Sequence, residues 1–349
     1  MRPISSKRGI GRALFSSLVI LGLCICYPHG LAGRSQKGEI SAPAPNGRLI
    51  DLGGYRLHLD CRGSGSPTAV LSAGAGDFSF DWALVQPEVA RFTRVCSYDR
   101  GGEAWSDLGP KPRTMDQEVL DLHRLLEAGG EHAPYLLVGQ SGGGMIARLF
   151  ALKYPKEVLG IVLVDSFHED AQLFINGKVV RVRTTAQKRP VPAPRPSVDA
   201  TDGLSSEEIK GINDLIVQFD LKPSIDPPFD KLPEKAKQQR LWALAQLNHF
   251  AAGDNPYLAE ELEAIYEQTQ KQPYLLDDLP LIVLSRSRDE YPPEHAALLS
   301  AEHRKQQESL AQLSRRGTQI IVPNSGHHIQ LDAPDAVIAA IRKLAAGTK

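Results

Sequence analysis

One short motif limits the folding of this chain more than any other: Gly139-Gln140-Ser141-Gly142-Gly143. It lies between an apolar run, Tyr135–Val138, that reads as a strand, and a helix-period stretch, Met145–Tyr154, that Pro155 stops. A serine on so sharp a strand-to-helix turn has a strained backbone and an exposed hydroxyl, and glycines on both sides relieve the crowding. The helix N-terminus behind it offers free N–H groups to an oxyanion. The same glycines could cradle a phosphate, but no Lys-Ser or Lys-Thr pair follows them, as a P-loop requires. Ser141 is therefore the candidate nucleophile.

The pattern around this unit agrees with it. Arg48–Leu52 and Tyr55–Leu59 flank Gly53-Gly54 and read as a tight hairpin. Short apolar runs follow at Thr68–Leu71 and Phe92–Tyr98. A helical stretch from Thr114 to Ala128 then sets Met115, Val119, Leu122, Leu125 and Leu126 on one face. Leu159–Val164, Leu281–Leu284 and Gln319–Val322 are further strands, and Ala333–Ala346 is a closing helix. A hairpin followed by alternating strands and helices implies an α/β fold, a mostly parallel sheet covered on both faces. Between residues 167 and 275 the alternation stops and prolines crowd 189–196 and 222–233. That segment reads as an inserted helical cap, where substrate selection is expected. The catalytic domain is then residues 47–166 and 276–349.

The 349 residues thus hold one enlarged domain. With 42% hydrophobic residues the chain can fill a core, which excludes disorder as its main state. Forty basic residues against 41 acidic ones lack the electrostatic footprint of a nucleic-acid binder. Arg2, Lys7, Arg8 and Arg12 precede the apolar stretch Ala13–Tyr27, and Gly30–Gly33 is a small-residue segment. Residues 1–32 therefore read as an export signal ending at Ala32, followed by a polar linker over 33–46. The alternative is an uncleaved N-terminal anchor, although a spanning helix needs about 20 apolar residues and Pro28 ends this run early. A periplasmic or secreted location follows. Cys61 and Cys96, the two cysteines beyond the signal, either pair or serve as small buried hydrophobes. No Cys-x-x-Cys or Cys/His cluster suggests a metal site.

A serine hydroxyl attacks only when a base takes its proton. The late loop Val322–Gln330 carries two candidates, His327 and His328. Here the chain resembles the α/β-hydrolase family, in which a G-x-S-x-G elbow is followed by an acid and then a late histidine. The run Ser325–Asp335 is similar to that family's Gly-His loop entering its last helix. The resemblance covers roughly residues 48–166 and 276–346. It implies an eight-stranded sheet, His327 as base with His328 as the alternative, and no cofactor. The acid, which holds the imidazole in one tautomer, comes in most members from the loop after Leu281–Leu284, where Asp289 and Glu290 lie. A subset supplies it one strand earlier, where Asp165 follows Val164. Both Asp165 and Asp289 remain candidates, with Asp165 favoured by its Val-Asp-Ser-Phe-His setting.

The resemblance also implies an oxyanion hole made by the N–H groups of Gly142 and Ala75, although Ala73 replaces the family's histidine in that loop. The stretch Asp99–Asp107 is similar to the family's Asp-x-x-Gly-x-Gly-x-Ser loop and reads as structural. The family's sheet order makes the strands bearing Cys61 and Cys96 neighbours, which permits a disulfide. Among other histidines, His58 reads as outward-facing, His249, His295 and His303 as solvated, and His168 as a cap-surface or pocket residue. The expected function is hydrolysis of a small or medium carboxylic ester through an acyl-enzyme, with a small molecule as sole partner. Amidase, peptidase or thioesterase activity would use the same triad. Epoxide hydrolases and haloalkane dehalogenases of this fold use a carboxylate where Ser141 stands. A non-catalytic binding protein on the same scaffold is the competing class, usually marked by loss of the serine or base, both present here.

Overall fold

The structure is a computed structural model that describes residues 42–175, 178–291 and 293–347. The export signal expected over residues 1–32 lies outside the described residues, as does most of the linker. Among the described residues no helix is long and apolar enough to cross a membrane.

Among the described residues ten strands occur in chain order: β1 (Arg48–Asp51), β2 (Arg56–Arg62), β3 (Thr68–Ser72), β4 (Val95–Tyr98), β5 (Tyr135–Gln140), β6 (Val158–Val164), β7 (Gln172–Ile175), β8 (Lys178–Arg181), β9 (Leu281–Arg286) and β10 (Gly317–Val322). Eight form one sheet in the order β1-β2-β4-β3-β5-β6-β9-β10, and β7 and β8 pair separately. The β2 strand runs antiparallel to both its neighbours. Every other pairing in the large sheet is parallel.

The helices are α1 (Gln86–Val89), α2 (Met115–Ala128), α3 (Gly142–Lys153), α4 (Ser206–Gln218), α5 (Glu234–Leu244), α6 (Leu247–Ala252), α7 (Leu258–Lys271), α8 (Pro293–Ala311), α9 (Ile329–Asp332) and α10 (Pro334–Ala346). Alternation along the central strands explains why they cover both faces. Leu136 and Val138 of β5 join Val162 and Val164 of β6 in a core with Ile338 and Ile341 of α10. Leu137, Ile161 and Leu163 point the other way, into a core with Leu122 and Leu126 of α2 and Phe150 of α3. Strands buried on two faces need apolar residues at every position, which is how these read.

The expected hairpin is present. Gly53 and Gly54 take φ +92° and +99°, and the Asp51 carboxylate accepts both their N–H groups at 2.8 and 3.1 Å. Cys61 stands opposite Cys96 in the β2–β4 register, and the two are disulfide-bonded. Three expectations need correction. The chain around Phe92 is a turn, with the Phe92 and Thr93 N–H groups on the Val89 carbonyl, so β4 begins only at Val95. The elbow helix starts at Gly142, not Met145. The segment between β6 and β9 is not purely helical, because it opens with the β7–β8 hairpin. Cap and sheet domain are tied together at several points. Glu261 of α7 accepts the N–H groups of Met115 and Asp116 at 3.2 and 3.3 Å, closing the N-terminus of α2. Arg240 of α5 reaches Asp77 at 3.1 Å and also pairs with Asp81.

Candidate active site

Ser141 sits between β5 and α3 with φ +49° and ψ −121°, a left-handed backbone that a side chain adopts only when its surroundings compel it. The flanking glycines show what compels it. A methyl on Gly139 would lie 2.3 Å from the Gly143 carbonyl oxygen, and one on Gly143 would lie 2.3 Å from that of Ser72. At Gly139 the turn is folded too tightly on itself, and at Gly143 too tightly against the end of β3, for any side chain. The Ser141 N–H donates to the Val164 carbonyl at 3.2 Å, which ties the elbow to the end of β6.

Asp165 follows directly from β6, with φ +42° and 1% of its surface exposed. Its Oδ2 lies 2.6 Å from His327 Nδ1. The same carboxylate accepts the Arg286 N–H at 3.1 Å, Arg286 Nη1 at 2.9 Å, and a contact from His303 Nε2 at 3.0 Å. Burial by itself would push this acid up, but the Arg286 guanidinium and the hydrogen bonds from His303 and His327 hold it well below the usual carboxylate range. Desolvation works against the Arg286 charge, and Asp165 more than offsets it, so the arginine stays firmly protonated.

The two adjacent histidines part company. His327 faces Asp165, its own N–H donates to Glu290 Oε2 at 2.8 Å, and its carbonyl accepts Gln140 Nε2 at 3.3 Å. His328 turns to Asp77, with Nε2 3.2 Å from Oδ2. Asp77 is buried, which opposes its charge, but His328 and Arg240 keep it ionised. Asp289 is not joined to this group: its carboxylate is about half exposed, 3.9 Å from Arg304. Glu290, beside it, holds the His327 backbone instead.

Gly142 is the first residue of α3, where an N–H has no intrahelical acceptor. A methyl built on it would lie 3.4 Å from the Ala75 nitrogen, so the two expected oxyanion donors are neighbours. The Ala75 N–H has no acceptor among the described residues. Ser141, His327, Phe167, Leu173, Tyr291 and Leu299 line one cavity of about 140 Å³. His168 also lines it, and burial lowers its pKa to about 4, leaving a neutral imidazole against Ser309 Oγ at 2.9 Å.

Three histidines differ from expectation. His58 is wholly buried, with Nδ1 2.7 Å from Asp99 Oδ2. His249 is mostly buried against Glu103 at 2.7 Å. His303, expected in solvent, reaches Asp165 from α8. The signal for it was helical spacing: Leu299, His303, Gln306 and Leu310 share the inner side of a helix whose many charges mask the period. Cys61, Cys96 and Glu131 converge as metal ligands might, but the two sulfurs are bonded to each other and offer no thiolate.

Over 128 residues the chain is 34% identical to YqjL of Bacillus subtilis, a match covering 36% of this chain and 51% of that relative, about half its length. A thermophilic esterase from Thermogutta terrifontis superposes with a TM-score of 0.54 over 83% of this chain and 92% of its own, at 21% identity. The epoxide hydrolase CorEH does so at 0.57 over 86% and 99%, at 18% identity. These two likenesses concern the fold. Residues 46–340, spanning the elbow, the cap and the His327 loop, match the α/β hydrolase family, and the chain belongs to that family.

Proposed function

We propose that this hydrolase cleaves small carboxylic esters through an acyl-serine, with Ser141 as nucleophile, His327 as base and Asp165 as the orienting acid. The observation that carries the reading is the 2.6 Å contact between Asp165 and His327 Nδ1 beside the elbow cavity. A carboxylate on Nδ1 fixes the tautomer that leaves Nε2 able to take the serine proton. Ser141 Oγ then adds to the ester carbonyl, and the new oxyanion is met by the N–H groups of Gly142 and Ala75. The imidazolium returns its proton to the leaving alcohol. Water, deprotonated by the same imidazole, adds to the acyl-enzyme and releases the acid. Ser141 stands where epoxide opening in this fold uses a carboxylate, which favours acyl transfer. The cavity of about 140 Å³ favours short acyl chains.

Steady-state kinetics on p-nitrophenyl acetate, butyrate, octanoate and palmitate test this. The expected result is a preference for the shorter esters, with turnover falling roughly 10⁴-fold or more in Ser141→Ala. Turnover surviving that substitution, or a folded wild type inert on all four esters, overturns the reading. Export is part of the proposal. The basic and apolar N-terminus and the Cys61–Cys96 bond both suit an oxidising compartment. N-terminal sequencing of the mature protein should begin after Ala32, and a chain retaining Met1 would contradict cleavage.

A further inference from the structure

The loop Asp99–Asp107 reads as structural from sequence, yet its arginine lies against the proposed oxyanion hole. Arg100 Nη1 donates to the Ala73 carbonyl and Nη2 to the Gly74 carbonyl, each at 2.5 Å. Its nearest carboxylate, Glu118, is farther away at 3.7 Å, so the guanidinium fork is spent on the loop backbone. In a trans peptide the C=O and the following N–H point in opposite directions. With the Gly74 carbonyl turned towards Arg100, the Ala75 N–H points away from the guanidinium, and its nitrogen lies 3.4 Å from a methyl built on Gly142. A methyl on Gly74 would sit 2.3 Å from Gln140 Oε1 and 3.1 Å from the Ser141 Cβ, so this loop packs directly against the elbow. The Asp77 N–H also bonds the Gly74 carbonyl, at 3.1 Å, but the Ala73 carbonyl has only Arg100 among the described residues. A charged donor on a peptide oxygen also polarises that peptide and strengthens its N–H as a donor.

We infer that Arg100 is the positioning residue of the oxyanion hole: its two hydrogen bonds fix the Ala73–Ala75 backbone so that the Ala75 N–H meets the transition-state oxyanion. This rests on the serine esterase reading. The test compares wild type, Arg100→Lys and Arg100→Met by ester kinetics and by inhibition with a short alkyl boronic acid, which forms a tetrahedral adduct with an active serine. Lysine keeps the charge beside Glu118 but loses the fork. The expected result is a fall in kcat of about 100-fold in both variants with KM within about twofold. The boronate inhibition constant should weaken by the same factor as kcat/KM. Unchanged kcat, or reduced kcat with undiminished boronate binding, overturns the inference while leaving the esterase reading intact. A wild type that neither turns over esters nor binds the boronate overturns both. Should the variants not fold, the structure of the wild-type boronate adduct decides. Its oxygen lies within hydrogen-bond distance of the Ala75 nitrogen if the inference holds, and elsewhere if it does not.

Discussion

Two histidines and an arginine share the carboxylate of Asp165, and that crowding is the ground for proposing it over Asp289 as the acid. A half-exposed carboxylate such as Asp289 loses most of its leverage to solvent. Asp165→Asn should lower kcat by about 10³- to 10⁴-fold, while Asp289→Asn changes it less than about twofold, in parallel ester assays. Equal losses would contradict the assignment. The depressed pKa of Asp165 has a pH consequence. A folded value below the unfolded one, about 3.9, stabilises the native state above that pH and ceases to do so as pH falls through the folded value. In urea denaturation the wild type should therefore keep its stability advantage over Asp165→Asn down to about pH 4, and an advantage already lost between pH 7 and pH 5 would contradict this. At this scale the sequence was informative where a motif imposed geometry. Ser141 and His327 stand out as candidates because elbow and late loop each have few solutions. His303 and Arg100 do not, because each acts through a fold-dependent contact with a residue far away in the chain.

Secondary elements carry the site in pairs. The β5–α3 elbow depends on glycines at 139 and 143, so Gly143→Ala must displace either the elbow or the end of β3. The expected outcome is loss of ester turnover with the melting temperature lowered, and full activity would contradict the crowding. The N-terminus of α2 is closed twice, by the Thr114 side chain on the Gln117 N–H and by Glu261 from the cap. Thr114→Ala should cost about 1 kcal/mol in urea denaturation. The strands and α2 were legible because their periods are clean: every apolar residue singled out on α2 is buried. The α8 helix was missed because its inner side is largely polar.

Over the whole molecule, the cap expected over residues 167–275 meets the cavity beside Ser141 through its first residues, Phe167 to Leu173, and α8 of the catalytic domain forms another part of that wall. The helices α5 and α7 of the same segment brace the sheet domain through Arg240 and Glu261. Cys61 and Cys96 close 35 residues of chain between β2 and β4. Cys61→Ala/Cys96→Ala should lose roughly 2–4 kcal/mol, read as a lower melting temperature that reductant reproduces in the wild type. An unchanged melting temperature under reductant would contradict it. The central claim, that Ser141 is an activated nucleophile, is tested most directly by intact mass spectrometry after incubation with a fluorophosphonate. One phosphonyl group should be added per chain, located on Ser141 by peptide mapping and absent from Ser141→Ala and His327→Ala. A folded wild type that remains unmodified, or an adduct on another residue, would contradict the account.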